Sequence, residues 1–175
     1  MTIRRMHITS AFRAILLTAG YACSAPLIAQ TTIMSSTTTS TSTLSTATAT
    51  TTTALVPLSG IVSGMPESVK FSGQAQVSAR VVTDPTFGSG PTVVLNIDLG
   101  NVTGVGSSTG KNYVTSNREI LTRTLSAADT VQVTFPFQSS GAGAAASLVG
   151  VASFNLSFDV NTLKLTAASG SIGSP

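Results

Sequence analysis

The feature that most constrains this chain is an alternation. From Val69 to Val81, the residues Val69, Phe71, Gly73, Ala75, Val77, Ala79 and Val81 are apolar or small, and Lys70, Ser72, Gln74, Gln76, Ser78 and Arg80 between them are polar. Successive side chains of an extended strand point to opposite faces, so the pattern predicts a long strand with one buried and one wet face. Such a strand belongs in an antiparallel sheet, because parallel sheets are covered on both faces. Gly73, and later Gly100, interrupt the patterns in which they sit and predict a bend or a bulge.

The same signature recurs along the chain. Val93, Leu95, Ile97 and Leu99 share one face of Thr92–Leu99, expected to pair with the first strand across a Gly/Pro loop at 83–91. Asn101–Val105 continues that strand, Gly106–Asn112 reads as a turn, and Tyr113–Ser116 and Glu119–Leu125 read as weaker strands. Ser126–Asp129 carries the one helical signal, a single turn. Val131, Val133, Phe135 and Phe137 alternate again, with Pro136 placing the end of that strand at a sheet edge. Beyond a Gly/Ala loop at Ser139–Ala144, the residues Leu148, Gly150, Ala152, Phe154, Leu156, Phe158 and Val160 line a further inner face. A turn at Asp159–Thr162 then leads into a last strand at Leu163. About seven or eight strands separated by Gly/Pro/Ser turns predict an all-β domain, either a two-sheet sandwich or a small barrel. The expectation adopted is an antiparallel sandwich, immunoglobulin-like or jelly-roll-like. A transmembrane barrel would need aromatic girdles, and aromatics are 5% of the chain.

Three segments precede or form this domain. Residues 1–29 read as a secretory signal: Arg4, Arg5 and Arg13 make a positive start, and Ala14–Ala22 is an apolar stretch too short to span a bilayer. Cleavage is expected between Ala29 and Gln30. Residues 30–53 read as a disordered, low-complexity linker, since 18 of the 23 residues from 31 to 53 are Ser or Thr and none is charged. Residues 54–175 are then the β domain. Export to the periplasm, the cell surface or the medium follows, with no transmembrane segment once the signal is removed. A lipid-modified Cys23 would instead make the protein a surface-anchored lipoprotein.

Charge and residue usage narrow the chemistry. The chain carries 9 basic and 6 acidic side chains, but three of the basic ones lie in the expected signal, so the remainder balances at six against six. That leaves no basic face for nucleic acid. The lone His7 and lone Cys23 also fall in the signal, and there is no Trp. A processed chain therefore lacks imidazole and thiol chemistry, any disulfide and the usual zinc ligands. No cofactor and no enzymatic activity are expected.

Several motifs approach known chemistry and fall short. Gly104–Asn112 resembles a phosphate loop in composition, but Val105 stands where the first glycine is needed, Asn112 replaces the Ser/Thr, and no helix follows. Ser108–Lys111 has Ser-x-x-Lys spacing without the helix start that would aim the lysine at the serine. Glu67, Asp84, Asp98, Glu119, Asp129 and Asp159 are the carboxylates from which a glycosidase pair would have to come. Asp159-Val160-Asn161 has calcium-like spacing but reads as an Asx turn closing a hairpin. Asn101-Val102-Thr103 and Asn155-Leu156-Ser157 match the glycosylation triplet, a pattern that chance often supplies. Lys70 and Asp98 read as solubilising charges on a wet face.

By subtraction, the expected protein is an exported, non-enzymatic β module that acts by binding or assembly at the cell envelope or surface. A protein, a surface glycan or a second copy are its candidate partners. The uncharged run Ser139–Asn155 is the stretch expected to self-associate. The alternative is a small-ligand or glycan binding module, whose candidate ligand-binding residues are Phe87, Lys111 and Tyr113.

Overall fold

The computed structural model describes residues 31–42, 45–64, 66–83, 90–140 and 148–175. The expected signal with its cleavage site, His7 and Cys23, the loop residues Asp84 and Phe87, and most of the Gly/Ala loop lie outside these residues.

Nine strands form one sheet: β1 (Thr32–Ser42), β2 (Ser45–Val62), β3 (Val69–Thr83), β4 (Thr92–Gly106), β5 (Asn112–Thr115), β6 (Arg118–Thr124), β7 (Ala128–Ser139), β8 (Leu148–Asp159) and β9 (Lys164–Gly173). The all-β expectation holds. The strands do not divide into the expected two stacked sheets, because they follow one continuous path, β1-β2-β3-β4-β5-β7-β8-β9, and β9 returns to β2. That return is a parallel pairing of Gly60 with Ile172, so the sheet is mixed and closes as a ring.

Alternation along each strand fills the ring. Val69, Phe71, Ala75, Val77, Ala79 and Val81 of β3 are all buried, as their spacing predicts, and so are Val131, Val133, Phe135 and Phe137 of β7. Phe71 meets Phe137 edge-on at 4.9 Å and Phe135 at 5.6 Å between ring centres, so β3 and β7 touch through the interior. Glycines face these rings. A methyl group on Gly104 would lie 2.7 Å from the Phe71 ring, and one on Gly150 would lie 2.7 Å from Phe135. Small residues opposite large ones are how a narrow barrel accommodates side chains.

Two irregularities turn the pattern by one residue. On β4 the buried set runs Val93, Leu95, Ile97, Leu99 and then shifts to Val102, because Leu99 and Gly100 together oppose Ala75. This is the bulge expected at Gly100. Thr115 fills it, its hydroxyl donating to the Leu99 carbonyl at 2.8 Å. Gly73 lies on the facing strand with φ +153°, and a methyl group there would stand 2.3 Å from the Asn101 carbonyl oxygen. A second bulge at Ser157–Phe158 shifts β9 so that Leu165, Ala168 and Ile172 are buried.

Four expectations need correction. Residues 30–53 are not a disordered linker where they are described: Thr32–Ser42 and Ser45–Val62 form a hairpin, and β2 then pairs with β3 along 15 positions from Thr48 to Val62. Thr is β-branched and fits a pleated surface well, and Thr50 and Thr52 are buried in line with Ala54, Val56 and Leu58. The β domain therefore begins near Thr32 rather than at Ala54. Ser126–Asp129 is no helical turn, since Ala128 and Asp129 already pair with Ser157 and Leu156. The end of β7 is no sheet edge: beyond Pro136, Phe137 pairs with β8 and Phe137–Ser139 pair with β5. Val160 faces solvent in the β8–β9 turn rather than the core.

The ring is closed at one end and splayed at the other. β2 pairs with β1 along its first half and meets β9 near its end. β4 likewise pairs with β6 at Thr92–Asp98 and with β5 at Thr103–Val105. Among the described residues β1 and β6 pair on one side only, so each presents a backbone edge.

Two measurements check this arrangement. A methyl group on Gly60 would meet the Ile172 carbonyl oxygen at 1.9 Å, whereas one on Gly64 has nothing within 4 Å. Gly60→Ala should cost about 1–3 kcal/mol in urea unfolding, as overpacking does, and Gly64→Ala should change little. A chain starting at Ala54 should fail to give a cooperative unfolding transition, because it lacks β1 and half of β2.

Candidate functional site: the Glu67 clasp

Glu67 sits between β2 and β3 at the closed end and is 8% exposed. The turn after β4 wraps around its carboxylate. Ser108 N–H and Thr109 N–H donate to Oε2 at 2.9 and 3.0 Å. The Thr109 hydroxyl and the Tyr113 hydroxyl donate to Oε1, the latter at 3.0 Å. Successive backbone amides that converge in a turn make an anion-binding concavity. The Gly106–Lys111 turn is such a concavity, and its anion is a side chain of the same chain.

Local sequence explains the fit. Gly106 leaves the space, since a methyl group there would overlap the carboxylate at 2.3 Å. Gly110 takes φ +68°, a left-handed conformation that glycine adopts without strain, and its N–H bonds the Gly106 carbonyl at 3.0 Å. Tyr113 projects inward from β5 and packs edge-on against Phe137 at 5.8 Å. Its ring thus joins the aromatic core, and its hydroxyl reaches the clasp.

The electrostatics follow from these bonds. The Thr109 hydroxyl and amide, with the Ser108 amide and Tyr113 hydroxyl, stabilise the charged carboxylate and lower the Glu67 pKa to about 2, against a partial opposing effect of burial. Burial pushes the Tyr113 hydroxyl upward, helped by its bond to the Glu67 carboxylate.

The candidate ligand residues separate. Lys111 is exposed on the rim of the turn, Tyr113 is buried and bonded inside it, and Phe87 lies outside the described residues. The phosphate-loop resemblance has a physical basis in the converging amides, but those amides are taken by Glu67. Ser108 and Lys111 lie on a turn, with no helix to align them. Asp159 accepts Asn161 N–H at 2.9 Å and the Thr162 hydroxyl at 2.7 Å, the Asx turn expected, and its pKa is lowered by these bonds. Asp98 accepts Gly100 N–H at 2.8 Å across the bulge and faces Arg118 at 3.2 Å in an exposed ion pair. Among the described residues no three His, Cys, Asp or Glu side chains cluster as metal ligands would, and no helix is long and apolar enough to cross a membrane.

No family model, curated protein or solved structure matches this chain. Sequence reasoning named Glu67 only as one of six carboxylates and missed its role. The available signal was a glycine-rich, amide-rich turn followed by an inward-facing tyrosine, which needs an anion whose position in the sequence is remote.

The clasp makes stability depend on acid. A folded pKa near 2 against a usual value of 4.5 gives a contribution present above about pH 4.5 and lost as pH falls toward 2. Thermal unfolding between pH 7 and pH 2 should show this decline. Glu67→Gln should lower the melting temperature at pH 7 and flatten the decline below pH 4.5.

Proposed function

We propose that this protein is an exported, non-enzymatic module that acts by binding or assembly at the cell envelope or surface. The observation that carries this reading is the contrast between its two strand edges. β6 carries Arg118, Glu119 and Arg123, and charges on an edge block pairing with other strands. β1 is eleven residues of Ser, Thr, Ile and Met with neither charge nor proline. Such an edge offers main-chain bonds to an added strand.

The binding strand replaces the stretch first expected to self-associate. Leu148–Asn155 of that stretch lies in β8, paired with β7 on one side and largely with β9 on the other, so its backbone is already engaged. The charge pattern of Arg4, Arg5 and Arg13 before an apolar stretch supports export.

A second reading, small-ligand or glycan binding, is favoured by one feature. A shallow groove of about 280 Å³ lined by Val114, Ser116, Pro136, Phe137 and Gln138 opens where β5 and β7 diverge. With Tyr113 turned inward, that groove presents no exposed aromatic ring for a sugar to stack on, which favours the first reading.

Cell fractionation with N-terminal sequencing tests the proposal. The expected result is protein in the envelope or medium that begins at Gln30. Protein retained in the cytoplasm with Met1 intact overturns export, and a lipid mass on Cys23 identifies the lipoprotein form. A melting temperature raised by a glycan or lipid in a broad panel favours the second reading.

A further inference from the structure

We infer that the free edge of β1 pairs antiparallel with β1 of a second copy, joining two barrels into a closed dimer through one continuous sheet. The inference rests on the assembly reading above and adds the partner and the surface.

β1 pairs with β2 from Thr32↔Leu55 to Ser42↔Ser45, so about half of its amide and carbonyl groups point away from β2. Toward β9 the described contact is at the very start: the Thr31 hydroxyl donates to the Ala168 carbonyl at 3.0 Å. From Thr32 onward, among the described residues, the outer edge carries no strand.

Sequence then selects the occupant. In an antiparallel pair of identical strands, residues related by the two-fold axis lie opposite one another, and near the axis each residue faces its own equivalent. Any charge there meets the same charge, which is destabilising. β1 has none along its whole length, so it tolerates its own copy. A charged partner strand would gain nothing from it. β6 demonstrates the alternative, with three charged residues along its seven. Ile33, Ser35 and Thr37 lie opposite the inward residues Ala54, Thr52 and Thr50 of β2, which puts Met34 and Ser36 on the outer face. Met34 is 70% exposed, an apolar side chain beside the edge that a partner strand would cover. Because the contact uses the same patch on both copies, it ends at two and builds no filament.

The test is sedimentation of the protein as its host processes it, over a wide concentration range. The expected result is a monomer–dimer equilibrium with no larger species. Met34→Lys/Ser36→Lys, on the outer face and away from the inward residues Ala54, Thr52 and Thr50 of β2, should abolish the dimer while keeping the melting temperature of the monomer. Ile120→Lys, on the outer face of β6, should leave the dimer intact. A wild-type chain that stays monomeric at millimolar concentration overturns the inference, as does a dimer that survives the double lysine change or an open-ended series of larger species. Should the double variant fail to fold, Thr37→Cys in a Cys23→Ser background decides: rapid disulfide formation between copies supports pairing across β1, and a rate no higher than that of Ile120→Cys overturns it. Loss of the dimer leaves export and binding to another partner standing, whereas cytoplasmic retention would remove those as well.

Discussion

Everything in this fold depends on closing the sheet at one end. An open sheet leaves two rows of unpaired amides and carbonyls, and a ring removes them. Closure here requires β2 and β9, distant in sequence, to approach so closely that position 60 has no room for a side chain. Ser63 N–H bonds the Ser174 hydroxyl at 2.8 Å just beyond, extending the join. The Glu67 clasp ties the β2–β3 connection to the turn after β4 at the same end, and Tyr113 links that clasp to the aromatic cluster. Backbone pairing, a buried anion and ring packing thus reinforce one another over a small region.

The other end follows from the strands that branch there. Because β2 and β4 each change partners midway, β1 and β6 lie beside the ring instead of within it. Between β6 and β7 the gap is bridged by side chains: Asn117 donates to the Thr134 carbonyl at 2.7 Å and Arg123 lies 3.5 Å from Asp129. An exposed ion pair of this kind contributes about 0–1 kcal/mol, too little to stand in for a strand. Charges along an exposed edge such as that of β6 disfavour the addition of another strand.

Much of the strand content was legible in the sequence because burial on one face writes itself as alternation. β3, β4, β7 and β8 were readable for that reason, and the Gly100 bulge was readable because the phase of the alternation changes there. β1 and β2 were not, because Ser and Thr occupy both faces and composition alone resembles a disordered segment; Thr50 and Thr52 are buried yet polar. Closure was illegible because it rests on contacts between positions far apart, for which one sequence holds no signal. The clasp was half legible: the turn could be seen to gather amides, but nothing local said that its anion would be Glu67. The Asx turn at Asp159 was fully legible, since all its partners lie within three residues.

These facts imply a gradient of stability along the barrel. The closed end buries Phe71, Phe135 and Phe137 in mutual contact, whereas the β1–β2 leaf buries threonines, and Thr52 Oγ1 is enclosed without a hydrogen-bond partner. A buried hydroxyl left unpaired costs about 1–3 kcal/mol, and β1 adds bonding on only one of its sides. Local opening is favoured where apolar contacts are few and backbone bonds are exposed, so within this leaf β1, bonded along one side only, is the strand most open to fraying. A strand added to β1 would bond the side that is bare and would stabilise this leaf more than any other. Weak anchoring and an unguarded edge therefore coincide in one element, and a partner that recognises the edge also completes the fold.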